Sequence, residues 1–431
     1  MAKTVGVHPK LAKWKDTMDK RLSLSSTIVK PSFKMDCINT GSTVLNLLIG
    51  GSRLSDGSFV CPGYPKGTII EIFGAESSGK TTLALMAMGQ AIASGGCGLY
   101  VDLEHAVKDH YAMKLGCDFR PPELGGTGSA FRVAPHTFEE TAAIVDSAAL
   151  QGVDLIVIDS VAGMVSRREI TRDVSNEDEK AGIAEIPRLM SNWLPKLQSI
   201  IAKTKTTVIF LNQTRDKIGA FGFSEESKKS TVGGNALKFW ASVRWFLKPH
   251  TVTKARVFNP LTKTNEDVPI ATDVMVKNIK NKVDARQGHV GVVTIRYGTG
   301  VDEIRTMINV AEAYKVVNIS KNGLKQQVFT YENESKNLKL TSTGLEKFRS
   351  DLLLAANKAV FEDMIATCTE KIMQGLKIVS DDDLASLETD AIKHNVGGHD
   401  DMFELDNTPP TENVEEETDN MMQLPNISAD D

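Results

Sequence analysis

The stretch Ile70-Glu-Ile-Phe-Gly74-Ala75-Glu76-Ser77-Ser78-Gly79-Lys80-Thr81-Thr82-Leu83 decides the reading of this chain. An apolar run ends on Gly74, and Gly-x-x-x-x-Gly-Lys-Thr, the full phosphate-loop pattern, runs from there to Thr81. Such a pattern works only between a strand and a helix, where successive backbone N–H groups and the helix N-terminus face an anion together. Gly74 and Gly79 permit close backbone approach, Lys80 reaches the β- and γ-phosphates, and Thr81 can hold Mg2+. Ala75, Glu76, Ser77, Ser78 and Thr82 complete the expected cradle for a nucleoside triphosphate.

Working outward, a phosphate loop needs a carboxylate at the end of a second apolar strand, and Leu155-Ile-Val-Ile-Asp159 supplies it. Asp159 is expected to share Mg2+ with Thr81. Leu99-Tyr-Val-Asp-Leu-Glu104 ends a neighbouring strand, which makes Glu104 the candidate general base toward an attacking water. A helix-capping role for Glu104 near His105 or Lys108 is the structural alternative. Ile209-Phe-Leu-Asn-Gln213 ends a further strand, and Gln213 is a candidate sensor of the γ-phosphate.

Apolar runs at 68–73, 98–103, 155–159, 208–211, 273–278 and 291–297 read as strands, and 81–94, 137–151 and 186–203 have helical periodicity. That alternation predicts an α/β fold with a twisted, mostly parallel central sheet covered by helices. After Gly298-Thr-Gly300, helical stretches at 302–315 and 343–375 flank a β-like segment at 327–331, the expectation being a small C-terminal α/β domain. Residues 1–45 make no core of their own: a charged helix at 11–22 and a strand at 22–29 suggest an arm that packs on a neighbour. The expected organisation is therefore arm 1–45, core 46–298, small domain 299–378 and an acidic, disordered tail 379–431.

Bulk composition narrows the class. The 431 residues are 41% hydrophobic, enough for two or three domains. No N-terminal apolar leader and no membrane-length run is visible, so a cytoplasmic location is expected. Five scattered cysteines lack metal-ligand spacing and fit a reducing compartment as core fillers. The net charge of -5 conceals a division, because residues 381–431 hold sixteen acids against Lys393 and leave the first 380 residues at +10. A basic body with an acidic appendage suggests a polyanion partner and a segment that competes with it; a merely solubilising tail is the bland alternative.

Two segments are too polar and glycine-rich for a core. Residues 167–182 contain three arginines among acids, and 214–234 contain Arg215, Lys217, Lys228 and Lys229 with Gly233 and Gly234. Each leaves the C-terminal end of a strand, where open α/β sheets bind ligands. Basic loops of this kind can follow a phosphodiester backbone, with glycine N–H groups donating to phosphates. Phe221 and Phe223 could stack on bases or tuck the loop down. Arg188, on the helix that follows the first segment, could meet a phosphate or a surface carboxylate.

Taken in order, these elements resemble the bacterial RecA recombinase family, in a divergent or bacteriophage-encoded form. The resemblance rests on Gly74-Ala-Glu-Ser-Ser-Gly-Lys-Thr-Thr82, Asp102-Leu-Glu-His-Ala106, Tyr111-Ala-Met-Lys-Leu-Gly116 and Val157-Ile-Asp-Ser-Val161. It continues through Asn212-Gln213, Gly233-Gly-Asn235-Ala-Leu-Lys-Phe239 and Lys280-Asn-Lys282, over roughly residues 20–375. Ala75 stands where that family usually has proline, and Leu103 where it usually has alanine. The resemblance implies a RecA-like phosphate-loop ATPase core and an ATP- and Mg2+-dependent helical filament on single-stranded DNA. Such a filament pairs with homologous duplex DNA, exchanges strands, and works beside single-strand-binding and loader proteins. It further implies that Gln213 relays ATP state to DNA, and that Lys280 and Lys282 reach the next protomer's γ-phosphate. Arg188, Gly233, Gly234 and Asn235 would touch DNA, and the acidic tail would restrain duplex access. A helicase or branch-migration motor of the same fold is the alternative. A non-enzymatic ATP-bound oligomer is disfavoured by Glu104.

Overall fold

A strand covered on both faces reads as an unbroken apolar run, and such runs build the centre of this protein. The structure is a computed structural model that describes residues 10–11, 13–14, 16–17, 34–54, 56–171, 185–216, 229–231, 233–284 and 286–375, without the side chains of 215, 216, 229, 230, 374 and 375. In chain order, β1 (Cys37–Ile38), helix α1 (Thr43–Gly50) and β2 (Tyr64–Pro65) come first, with β1 and β2 paired antiparallel. Next, β3 (Ile69–Gly74) leads to α2 (Lys80–Ala93), β4 (Gly98–Asp102) to α3 (Asp109–Lys114), and β5 (Ala130–Val133) to α4 (Phe138–Leu150). β6 (Leu155–Asp159) precedes α5 (Arg167–Thr171) and α6 (Glu185–Thr204); β7 (Thr207–Asp216) precedes β8 (Lys229–Thr231) and α7 (Ala236–Trp240). The remainder is β9 (Val243–Asn259), β10 (Thr264–Asn281), β11 (Val290–Arg296), β12 (Gly300–Val301) and α8 (Glu303–Ala313). It closes with β13 (Val317–Lys321), β14 (Gln327–Asn333), β15 (Leu338–Thr343), α9 (Leu345–Leu352) and α10 (Lys358–Gly375).

The central sheet has the order β12-β11-β10-β9-β3-β7-β6-β4-β5, with β8 pairing antiparallel to the end of β7. From β9 to β5 all neighbours are parallel; β10, β11 and β12 extend the sheet antiparallel. Period-two alternation sorts the side chains onto two faces. Ile70, Ile72, Val157, Ile209, Leu211 and Trp245 pack with Leu83, Leu85 and Met88 of α2 in one apolar layer. Ile69, Val101, Ile156, Ile158, Val208 and Phe210 form the other layer with Val145 of α4, Trp193 and Leu197 of α6, and Leu237 of α7. Strand order places the C-terminal ends of β3, β4, β6 and β7 side by side, so Gly74, Glu104, Asp159 and Gln213 emerge at one end of the sheet.

Expectation and structure part at several points. The expected strand at 273–278 is a fragment of β10, which with β9 makes a long antiparallel ribbon on one side of the mostly parallel sheet. Past Leu247 that ribbon is exposed and polar, and the apolar-run signal is missing there. The helix expected over 343–375 is two helices: a 3-10 turn at Ala355–Asn357 intervenes, and Asn357 Nδ2 donates to the Asp351 carbonyl at 2.7 Å at the end of α9. Within α6, Pro195 lacks the N–H that would bond the Ser191 carbonyl; both residues lie on the exposed side, where water can satisfy the gap.

The C-terminal elements add the three-stranded sheet β13-β14-β15, on which Phe329 stacks against Phe348 at 5.6 Å. Met307, Phe348, Met364 and Cys368 join the apolar layer that covers the central sheet, which ties this region to the core. Lys10, Leu11, Lys13, Trp14, Asp16 and Thr17 are helical, all but Lys10 within the helix expected over 11–22. The strand expected at 22–29 and the acidic tail lie outside the described residues. Among the described residues no helix is long and apolar enough to cross a membrane.

Candidate functional site

The phosphate loop sits between β3 and α2, as its sequence requires. Gly79 is left-handed at φ +93, and a Cβ there would stand 2.4 Å from Ile295 Cδ1, so conformation and space both demand glycine. Ser77 and Ser78 precede it, and α2 starts at Lys80, leaving its first N–H groups aimed into the loop. Lys80 is largely buried and donates to the carbonyls of Ala75 at 2.7 Å and Gly74 at 3.3 Å. Burial lowers its ammonium below the ordinary lysine value, and Asp159, Glu104 and Glu76 oppose that effect. A cation restrained by its own loop's carbonyls can exchange those weak acceptors for phosphate oxygens.

Thr81 Oγ1 donates to Asp159 Oδ2 at 2.8 Å, so the two expected Mg2+ ligands already meet. Tyr100 OH donates to the same oxygen at 2.6 Å. Burial raises the Asp159 carboxyl above the usual range; the Tyr100 and Thr81 hydroxyls oppose the shift, and Glu104 and Asp102 add to it. Among the described residues no group of three or more His, Cys, Asp or Glu could hold a metal. One hydroxyl beside one carboxylate fits Mg2+, which takes its other ligands from phosphates and water.

Glu104 is exposed just beyond β4, and it caps no helix: the N-cap of α3 is Lys108. Glu104 Oε1 accepts from Ser160 Oγ, the residue after Asp159, and from Gln213 Nε2 at 2.9 Å. Gln213 therefore touches the carboxylate directly. Beside it, Asn212 Nδ2 donates to Glu71 Oε1 at 3.0 Å, and Arg244 Nε meets Glu71 Oε2 at 2.5 Å beneath the phosphate loop.

A cavity of about 340 Å3 opens from the loop and is lined by Ser77 to Thr82 together with Tyr111, Thr272, Val274, Ile295, Tyr297 and Gly298. Tyr111 OH is 2.8 Å from Thr82 Oγ1, and Tyr297 OH is 2.5 Å from Thr272 Oγ1. Two aromatic side chains beside a phosphate cradle can hold a planar base. Nothing local in the sequence connects either tyrosine, or Tyr100, to the loop; the one available signal is Tyr111-Ala-Met-Lys-Leu-Gly116, in which Tyr111 lies.

Lys280 and Lys282 lie away from this chain's own phosphate loop, near the opposite end of the sheet, where Lys280 pairs with Arg244. Lys280 Nζ donates to the carbonyls of Lys238 at 2.6 Å and Phe239 at 2.8 Å, and Lys282 Nζ donates to Phe239 at 3.4 Å. Burial, helped by Lys282 and Arg244 and opposed by Glu71, pushes the Lys280 ammonium down to about 8.

The basic segments start where expected. β7 continues past Gln213 and pairs with β8, Thr214 opposite Thr231 and Arg215 opposite Ser230, so the second segment begins and ends as a ribbon. Arg215 and Lys229 are placed by backbone only; Lys217, Phe221, Phe223 and Lys228 lie outside the described residues, as does most of 167–182. At the ribbon's exit Gly233 faces Val161, and Gly234, at φ +74, lies against Pro187, with contacts of 2.9 Å to an added Cβ in each case. Arg188 is exposed beside that contact, and Asn235 Oδ1 accepts from Lys238 Nζ at 3.2 Å.

Comparison with known proteins agrees with this geometry. The RecA N-terminal domain family matches residues 21–302. Protein RecA of Streptococcus uberis is 38% identical over 290 residues, covering 66% of this chain and 67% of the relative. Protein RecA of Streptococcus equi subsp. zooepidemicus is likewise 38% identical, and that of Streptococcus pyogenes serotype M1 is 37% identical, each with the same coverage.

Proposed function

The chain belongs to the RecA recombinase family, and from that premise we propose how its residues divide the work. It is a DNA-dependent ATPase, with MgATP as substrate, that binds single-stranded and duplex DNA, forms filaments and acts in homologous pairing and strand exchange. The observation that carries the division of labour is the 2.9 Å hydrogen bond from Gln213 to Glu104. Gln213 ends the buried part of β7, and the next residues are the ribbon into the second basic segment. DNA held by that segment would shift the ribbon and, through Gln213, the carboxylate.

Both donors to Glu104 use Oε1, which leaves Oε2 to take a proton from water attacking the γ-phosphate. Lys80 would leave its carbonyls for the β- and γ-phosphate oxygens, and the N–H groups of Ser77 to Thr82 would hold the rest of the chain of phosphates. Mg2+, when bound by Thr81 and Asp159, neutralises charge between the β- and γ-phosphates. Tyr111 and Tyr297 would enclose the base. Lys280 and Lys282, seated on the terminal carbonyls of α7, would reach the γ-phosphate of the adjacent protomer, making turnover depend on assembly. Arg188, Gly233, Gly234 and Asn235 gather at one spot and would contact the DNA backbone, with Arg215, Lys217, Phe221, Phe223, Lys228 and Lys229 supplying the rest of that surface. The arm would pack on a neighbouring protomer, the acidic tail would limit duplex entry, and single-strand-binding and loader proteins would act on the same filament.

The test compares Glu104→Gln with Gln213→Ala. Glu104→Gln should abolish turnover while filaments on single-stranded DNA with ATP remain visible by electron microscopy. Losing one hydrogen bond of about 1.4 kcal/mol, Gln213→Ala should lower the ratio of DNA-stimulated to DNA-free turnover about tenfold. An unchanged ratio would remove Gln213 from the relay.

A further inference from the structure

Cys37 and Cys61 stand on either side of α1 in the chain, and the fold brings them together. The Met35 N–H donates to the Val60 carbonyl at 2.9 Å, and the Lys66 N–H donates to the Asp36 carbonyl at 2.8 Å. Beside those bonds, Cys37 pairs with Pro65 and Ile38 with Tyr64 across β1 and β2. Gly63 seats the turn after Cys61 on the same strand, because a Cβ there would collide with the Ile38 carbonyl. The Cys37 and Cys61 side chains are consequently in hydrogen-bonding contact. Cys61 Sγ also lies 3.4 Å from the Gly63 carbonyl oxygen, a second acceptor for its one proton.

The two thiols are not equivalent. Cys61 is fully buried, whereas Cys37 is half-buried and lines a cavity of about 190 Å3 with Lys66, Ser94 and Asp154. Lys66 Nζ meets Asp154 Oδ1 there at 2.9 Å. The contact with Cys61 holds the Cys37 thiol below the ordinary cysteine value; Lys34 and Lys66 add to this, and burial and Asp36 oppose it. The same contact, together with burial, pushes the Cys61 thiol up. The other cysteines are placed differently. Cys117 donates to the Leu85 carbonyl at 3.0 Å, Cys368 is buried, and burial pushes both thiols up to about 12. Cys97 Sγ faces the Asp154 carboxylate at 3.9 Å.

A cysteine that only fills a core needs neither a cavity nor a partner thiol. The thiolate is the reactive form, and an accessible thiolate beside a second thiol is the arrangement that oxidants select. A metal fits less well, since among the described residues no group of three or more His, Cys, Asp or Glu could hold one. We propose that Cys37 and Cys61 are a peroxide-reactive pair, in which Cys37 is the nucleophile at the cavity and Cys61 resolves it into a reversible disulfide. In the first step the Cys37 thiolate attacks one oxygen of hydrogen peroxide. The S–O bond forms as the O–O bond breaks, and the departing hydroxide takes a proton to become water, leaving a sulfenic acid. The Cys61 sulfur then attacks the Cys37 sulfur; the S–S bond forms, the S–O bond breaks, and hydroxide leaves with the Cys61 proton as a second water. Peroxide gains two electrons and the two thiols lose them. A dithiol reductant reverses the product by exchange. The bond closes a covalent ring around α1, whose Val44, Leu45, Leu48 and Ile49 belong to the apolar layer, so oxidation would fasten part of the core.

The experiment treats the reduced full chain with a small excess of hydrogen peroxide, alkylates the remaining thiols, and maps peptides by mass spectrometry without reduction. The expected product is one internal Cys37–Cys61 crosslink, with the intact mass lower by two hydrogens and restored by dithiothreitol. Cys61→Ser should stop at the sulfenic acid, trapped on Cys37 by dimedone. Cys37→Ser should lose dimedone labelling and crosslink together. Oxidised wild type should unfold about 5 °C above the reduced protein, a shift that Cys61→Ser should lose. Oxidation centred on Cys97, or spread evenly over the five cysteines, would overturn the proposal. So would crosslinks only between two copies through Cys37, or an oxidised wild type that retains the Cys37 sulfenic acid with Cys61 still free. Equal unfolding temperatures of the oxidised and reduced protein would overturn the fastening of the core.

Discussion

Tyr100→Phe removes a single oxygen from the nucleotide site and should shift the acid limb of ATP turnover upward. Tyr100 is fully buried, and its hydroxyl donates to Asp159 Oδ2 at 2.6 Å, alongside Thr81 at 2.8 Å. Burial already holds the Asp159 carboxyl above the usual range, and these two hydroxyls are what oppose it. Phenylalanine keeps the ring and its edge-on packing against Phe119, 5.9 Å between centroids, so the donor alone is lost. A buried hydrogen bond to a charged group contributes about 1.5–3 kcal/mol. At 1.36 kcal/mol per factor of ten, its loss should favour the protonated Asp159 carboxyl by about tenfold or more. Under the proposed role the ionised carboxylate is the form that would hold Mg2+; activity should therefore be present above the Asp159 pKa and lost as pH falls through it. In the variant that loss begins at higher pH. Turnover with single-stranded DNA, measured from about pH 5 to pH 8 at limiting and saturating Mg2+, should show the limb moved up by about one unit. The Mg2+ midpoint near pH 6 should rise about tenfold. A limb and midpoint identical to wild type, with unfolding temperature unchanged, would refute control of Asp159 by Tyr100.

Two further outcomes follow from buried charge. The Lys280 ammonium, held down to about 8, must be charged to meet a neighbour's phosphate, so ATP-dependent assembly followed by sedimentation should weaken as pH rises through about 8. Lys280→Arg should flatten that profile, and a flat wild-type profile between about pH 7 and pH 9 would reject the role. Glu71 is fully buried against Arg244, whose guanidinium also lies 4.7 Å from the Phe73 ring centroid. Arg244→Met strands that carboxylate and should cost about 3–5 kcal/mol in urea unfolding, whereas Glu71→Leu/Arg244→Met should recover most of it. Equal losses in the single and double variants would show that the pair is not what the core depends on.

Legibility followed the range of the interactions. The phosphate loop was readable because strand, glycines, lysine and helix are contiguous, and Leu155 to Asp159 because a strand covered on both faces must be apolar throughout. Glu104 left two alternatives open, base or helix cap; the structure puts Lys108 at the N-cap and sets Ser160 and Gln213 against Glu104 Oε1, contacts that no local pattern encodes. Tyr100, Tyr111 and Tyr297 were missed because each reaches the site from a different element, and their spacing in sequence carries no trace of that. The β9–β10 ribbon escaped for a related reason: strands exposed on both faces show no apolar alternation, even though Thr251 to Val257 is rich in β-branched residues.

By itself the sequence determined the nucleotide chemistry, the alternating α/β architecture and the family, since these depend on short patterns and their order. Tertiary structure decided which side chains act together. It brought Gln213 onto Glu104, set Tyr100 and Thr81 on one oxygen of Asp159, and seated Lys280 on the terminal carbonyls of α7, away from its own phosphate loop. Parallel strand order is the physical reason: it lines up the ends of β3, β4, β6 and β7 from distant parts of the chain, a proximity that no local pattern encodes.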